Sequence, residues 1–220
     1  MSKVVLFGNG QMAEVAHVYL KHDSPHEVVA FCVDGQFLTE THYRGLPVVP
    51  FEEITRSHPP EAFSMFIPMS AKDVNRRRAE KYFQAKSKGY HLISHVSSKA
   101  IVLPESTIGE NCFIFENNVI QPFVTIGNNV ILWSGNHIGH HSSIGDHCFL
   151  TSHVVVSGRT TVGAYCYIGV NATLRDGITI GEGCVIGAGA LIMKDAEARK
   201  IHMGLPAKSI QAPSDTANII

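Results

Sequence analysis

From Val96 to Ile192, every sixth residue is aliphatic, seventeen positions in succession without exception. Glycine often follows directly, as at Gly109, Gly127, Gly139 and Gly145. Four positions after the aliphatic residue the side chain is usually small or modest, as at Ser106, Cys112, Ser142 and Ala172. This is the period of a parallel β-helix built from hexapeptide repeats. Three hexads make one triangular coil, and successive coils stack about 4.8 Å apart. The aliphatic residue and the small residue four later face inward. The pair between them forms the corner turn, where side chains are expected to be exposed or to meet a neighbouring subunit.

The N-terminal pattern is different. Residues 3–7, KVVLF, predict a buried strand; Gly8-Asn9-Gly10-Gln11-Met12-Ala13 follows, then a helix to about Lys21. A second strand, EVVAFCVD, ends in Asp34. Strand, G-x-G-x-x-A, helix, strand and acid in this order begin a Rossmann-type unit, in which the helix N-terminus favours phosphate. A third strand is predicted at 63–67. Residues 71–89 read as a helix with most of its basic residues on a solvated face. The expected fold class is therefore an α/β Rossmann-like domain over 1–93 and an all-β parallel β-helix over 94–195, followed by a C-terminal loop and tail over 196–220, irregular after Lys208. A domain of about 93 residues has room for one mononucleotide-binding half, which leaves NAD chemistry doubtful.

Composition narrows the function. The chain has 220 residues, 45% hydrophobic, with 18 basic and 19 acidic residues. No basic run forms a phosphate-binding stripe, so no nucleic acid is expected as a partner. No segment approaches the roughly 20 apolar residues of a membrane span, and Val4–Phe7 is too short for a signal-peptide core. Five cysteines without C-x-x-C spacing fit reduced thiols and a cytoplasmic location. Cys112, Cys148, Cys166 and Cys184 all occupy the inward small position, which makes them inert core spacers; Cys32 lies in an apolar strand and reads the same way.

The stretch HIGHHSSIGDHCFLTSH, His137–His153, holds five of the thirteen histidines. The register gives each an address. His140 and His141 are the two corner residues after Ile138-Gly139, His147 and His153 sit at later corners, and His137 precedes an inward isoleucine. Zinc-bearing β-helix enzymes of the gamma carbonic anhydrase type place two ligands in one column two coils apart, with a third five positions on. No histidine pair within 96–195 has either spacing. No metal is expected. Gly158 follows His140 by three hexads and so lies directly above it on the next coil. A histidine beside a glycine backbone can supply a general base and an N–H for an oxyanion; a solvated corner histidine is the plainer alternative.

The combination of domains resembles the bacterial nucleotide-amino-sugar N-acetyltransferases and related sialic-acid O-acetyltransferases, which join a small Rossmann-like domain to a left-handed β-helix. Over the segment His137–Gly145 the resemblance implies His140 as base, with His141 beside it, and Gly158 as oxyanion donor. It implies nucleotide binding at Gly8, Asn9, Gly10, Gln11 and Asp34. The tail Gly204-Leu205-Pro206-Ala207-Lys208 is similar to a G-x-P-A-K motif and implies acetyl-CoA binding at Gly158, Gly204, Pro206, Ala207 and Lys208. The implied partner is a nucleotide-linked amino sugar, such as a 4-amino-4,6-dideoxy sugar of bacterial surface glycans. The implied assembly is a homotrimer with active sites between subunits. Two positions depart from the pattern: His141 replaces the acid that usually follows the base, and Trp133 stands where an asparagine is common. An O-acetyltransferase and a non-catalytic nucleotide-sugar-binding protein remain alternatives.

Overall fold

The computed structural model describes residues 1–205 and the backbone of 207–213. The chain forms two compact units. One comprises residues 1–70 and 80–95, the other 71–79 and 96 onward.

The first unit is built on a sheet of five strands: β1 (Lys3–Phe7), β2 (Glu27–Val33), β3 (His42–Tyr43), β4 (Leu46–Pro50) and β5 (Phe63–Phe66). Their order is β3-β4-β2-β1-β5. All neighbours are parallel except β3 and β4. The apolar runs of β1 and β2 are buried because crossover connections cover a parallel sheet on both faces. Helix α1 (Gln11–His22) buries Ala13, Ala16 and Leu20, one stripe at helical spacing. Glu14 in its first turn and Lys21 and His22 in its last suit the helix dipole. Helix α2 (Ile54–Ser57) precedes β5. Strand β1 lies between β2 and β5, so the chain changes direction across the sheet there, and the carboxyl ends of β1 and β5 flank a topological switch point. The short β3–β4 hairpin gave no alternating signal in the sequence.

The second unit is a left-handed parallel β-helix. Two-residue strands pair in parallel with partners three hexads away, as Val119↔His137↔Val155. They form three sheets, one of which continues into a C-terminal hairpin. The aliphatic column fills the interior: Ile120, Ile138, Val156 and Leu174 have no exposed surface. At the second corner residue the backbone is left-handed, which asparagine, glycine and histidine accept most readily. Asn111, Asn117, Asn129 and Asn171 sit there, and so do His141, His147 and His153. That shared backbone demand explains much of the histidine cluster. Gly139 answers a different demand: a Cβ on it would stand 2.5 Å from the nitrogen of Gly158 on the next coil.

All four repeat cysteines are buried, and so is Cys32. The thiols of Cys148 and Cys166 donate to the carbonyls of Gly163 and Gly181 at 3.1 and 3.2 Å. Burial pushes the Cys184 thiol up to about 11. Four inward positions hold buried polar side chains, Asn118, Asn136, Ser142 and Thr160, and Asn136 accepts from the Val154 N–H at 2.7 Å.

Three expectations need correction. Residues 71–79 belong with the β-helix and not with the residues that precede them, so a single cut at 93 does not divide the chain. The tail is not irregular throughout: Lys200–Gly204 pairs with the β-helix at Ile201 and folds back antiparallel on Ala207–Pro213. The last coil is cut short, since Ile180 pairs with Ala196, where a full coil would bring Ala198. Finally, the helix expected over 71–89 is shorter: α3 runs Arg76–Ser87, and within it Arg78 is completely buried.

Candidate active site

Strand His137–Ile138 carries the chain to Gly139 and the corner His140-His141. Both imidazoles are exposed. The coil below grips the pair through three consecutive residues. Gln121 Oε1 accepts from the His140 N–H at 2.8 Å. The Pro122 carbonyl accepts from the His141 N–H at 3.2 Å. The Phe123 ring lies under the His141 ring, centroids 4.6 Å apart. The two imidazoles meet through their Nδ1 atoms at 3.1 Å, with ring planes 87° apart.

The opposite edge of the His140 ring faces Gly158 on the coil above. A Cβ on that glycine would stand 2.8 Å from Nε2. Among the described residues the Gly158 N–H donates no hydrogen bond. The equivalent N–H of Asn128 donates to Asp146 Oδ1 at 2.6 Å. An unengaged donor thus lies beside an imidazole nitrogen with open approach. Next to them, Arg159 pairs with Asp176 at 3.2 Å, and its N–H donates to the His140 carbonyl at 2.8 Å.

The other histidines are elsewhere. His147 was expected at an exposed corner, yet it is buried. Its Nδ1 meets Asn129 Nδ2 at 2.8 Å, and Asn129 Oδ1 in turn accepts from Asn111 at 2.8 Å. Arg78 crosses this column: its Nη2 donates to the carbonyls of His147 and Cys148 at 2.8 and 3.1 Å, and its Nε to Asn129 Oδ1 at 3.2 Å. Burial lowers the Arg78 guanidinium to about 9 and, with Arg78 nearby, holds His147 down at about 4 against the pull of Asp146. His153 packs over Gly135. Among the described residues no three His, Cys, Asp or Glu side chains gather to hold a metal ion.

In the first unit the G-x-G-x-x-A segment forms the turn from β1 into α1. Gly8 has φ +103° and sits against Ala13, where a Cβ would lie 3.5 Å from that of Ala13, and Gly10 caps the helix. Gly8, Gly10 and Gln11 line a cavity of about 310 Å³ at the switch point, with Phe7, Met12 and Ala13. Pro68, Met69 and Ser70, after β5, complete it. Asn9 bonds Glu40 at 3.4 Å. Asp34 is held by Lys81 Nζ at 2.6 Å, itself over the rings of Phe7 and Phe51.

Two groups of expected residues are therefore gathered: His140, His141 and Gly158 in the β-helix, and Gly8, Gly10 and Gln11 in the first unit. Gly204 lies in the hairpin with φ +93°. Pro206, and the side chains of Ala207 and Lys208, lie outside the described residues. Trp133 stacks on Phe115 at 4.2 Å. Sequence reasoning passed over Gln121, Phe123, Lys81 and Pro68–Ser70. The three-hexad step that located Gly158 would have found Phe123, which precedes His141 by the same interval. Lys81 and Pro68–Ser70 carry no comparable signal.

Segments 105–139, 124–158 and 159–194 match the family described as bacterial transferase hexapeptide (six repeats). No curated protein matches the chain in sequence. Among solved structures, a variant of perosamine N-acetyltransferase from Caulobacter crescentus, in complex with CoA and GDP-perosamine, is similar with TM-score 0.86 and 24% identity over 96% of this chain and 98% of that one. The acetyltransferase domain of PglB from Neisseria gonorrhoeae gives 0.81 and 22%, over 96% and 100%. WeeI from Acinetobacter baumannii gives 0.68 and 20%, over 96% and 100%. These likenesses are of fold, and they span nearly the whole of each chain.

Proposed function

We propose that the protein transfers an acetyl group from acetyl-CoA to the amino group of a nucleotide-linked sugar. The observation that carries this reading is the exposed His140 Nε2 beside an unengaged Gly158 N–H. Acyl transfer to an amine needs a proton acceptor at the nucleophile and a donor where negative charge develops on oxygen. The neutral sugar amine attacks the thioester carbonyl. His140 Nε2 takes the proton the nitrogen loses, and the Gly158 N–H meets the oxyanion. Collapse breaks the carbon–sulfur bond and expels CoA thiolate, which is protonated as the base is restored.

The switch-point cavity supports the nucleotide half of the reading, because a helix N-terminus and glycine backbone suit a diphosphate. GDP-perosamine and CoA are bound by the similar Caulobacter crescentus enzyme, which favours a 4-amino-4,6-dideoxy sugar as acceptor here. A homotrimer with the pantetheine arm along a cleft between adjacent β-helices fits the exposure of His140, with Gly204–Lys208 near the cofactor. Asp34 and Asn9 complete the nucleotide site in this reading, which places the enzyme in the cytoplasm, where acetyl-CoA is made. Among the described residues no helix is long and apolar enough to cross a membrane.

The test is thiol release from acetyl-CoA with a panel of UDP-, dTDP- and GDP-linked amino sugars, beside H140A. Turnover with one acceptor, lost in the variant, is the expected result. Turnover only with hydroxyl acceptors would move the reading to O-transfer. Failure to bind acetyl-CoA would replace it with non-catalytic nucleotide-sugar binding.

A further inference from the structure

The departure at His141 raises a question of chemistry: with no acid after the base, something else must fix its tautomer. Two imidazole nitrogens 3.1 Å apart form a hydrogen bond only when one carries the proton and the other a lone pair. If Nε2 of His140 is the base, it bears the lone pair, and the ring proton is on Nδ1. We propose that His141 is a positioning residue, whose neutral Nδ1 accepts the Nδ1–H of His140 and holds its Nε2 lone pair toward Gly158. The inference rests on His140 being the base.

The surroundings of His141 suit this role. Its backbone is set by the left-handed corner, φ +59°, and by the bond to the Pro122 carbonyl. Its ring is held by Phe123, a large apolar side chain left 48% exposed at a corner where nothing in the β-helix core requires it. The charged neighbours above, Arg159 on the next coil and Asp176 on the one after it, pair with each other. Among the described residues neither imidazole is bonded to a carboxylate. Which ring nitrogen of a histidine is protonated is set by what the other nitrogen bonds. A neutral acceptor fixes the tautomer without adding charge, whereas a carboxylate would do both. The two roles can therefore be separated by substitution.

Asparagine and aspartate suit the test because their Oδ1 lies about where His Nδ1 does and both tolerate the left-handed backbone. The full chain is assayed as wild type, H140A, H141A, H141N, H141D and F123A. H141A should lose about 10²-fold in kcat, the scale of a misplaced catalytic group, with KM for acetyl-CoA unchanged. H141N should restore most of the rate. H141D should restore it and move the acid limb of the pH–rate profile to higher pH, because a carboxylate favours the protonated base. F123A should fall between wild type and H141A. Histidine ¹⁵N NMR of the wild type reads the tautomers without turnover, and should show His140 protonated at Nδ1 and His141 at Nε2. Wild-type kcat in H141A, or equal loss in H141A and H141N, would overturn the proposal with the base reading intact, whereas the reverse tautomers would overturn both. Full activity in H140A would instead remove the base reading and this proposal with it.

Discussion

The Nε2 edge of His140 faces Gly158 so closely that a methyl group on the glycine would stand 2.8 Å from the nitrogen and 2.9 Å from Cε1. Gly158 is not among the residues with positive φ, so alanine there meets no backbone strain. The conflict is with the imidazole alone. G158A should therefore fold normally and lose activity by about 10²–10⁴-fold, the range for a general base taken out of place. Steady-state kinetics beside a thermal melt checks this. Wild-type kcat in a well-folded G158A would mean that the approach of the two residues has no part in turnover.

Arg78 is buried and donates to the backbone carbonyls of Asn129, His147 and Cys148 at the β-helix corners. A planar fork of five donors suits that set of acceptors; a lysine offers a point charge. R78A leaves several buried acceptors unpaired, at about 1–3 kcal/mol each. R78K should rescue little of the loss. Chemical denaturation compares the three proteins, and an R78K as stable as wild type would show that charge matters here and geometry does not.

The hexad period made the β-helix legible because each coil repeats one steric demand: an aliphatic side chain inward, then a tight corner. The same arithmetic places Gly158 above His140 from the sequence alone. It did not reveal that the corner holding His147 is covered, since Asn75 and Arg78 reach it from 90 and 69 residues away in sequence, Asn75 at Tyr165 and Arg78 at His147. A period describes contacts between coils and is silent on what packs against their outside. Likewise Asp34 read as a nucleotide-binding residue from its place after β2, but its pairing with Lys81, in a helix whose charges looked solvated, could not be read there. Such pairings between distant segments leave no trace in local pattern.

Every cysteine is buried; burial raises the thiols of Cys32 and Cys184, and a hydrogen bond with Cys148, together with burial, raises that of Cys166. Thiolate is the reactive form, so the native protein should be silent toward a thiol reagent. The five cysteines should titrate only after denaturation. Rapid labelling of the native chain would contradict the burial and would also show as background in a CoA-release assay.

His147 gives the fold a sensitivity to acid. Its folded value is about 4, against 6.5 for a free imidazole, with burial the larger cause. Above about pH 6.5 the ring is neutral whether the chain is folded or not, and it contributes no slope. Between about 6.5 and 4 the unfolded chain binds a proton that the folded one refuses, so stability falls as pH falls through that window. Protonation would also remove the lone pair that meets Asn129 and put a second cation beside Arg78. Asparagine already occupies this column at Asn111 and Asn129, and it accepts the φ of +63° found at His147. H147N loses the ring contact with Tyr165, 4.7 Å between centroids. It should thus be at or slightly below wild-type stability at pH 7.5, and gain on wild type as pH drops to 5. Other histidines with lowered values, such as His17 and His95, remain in both proteins and cancel in the difference. Thermal melts across pH 4.5–7.5 provide the check. Parallel curves for the two proteins would show that the buried column tolerates the proton and that acid acts elsewhere.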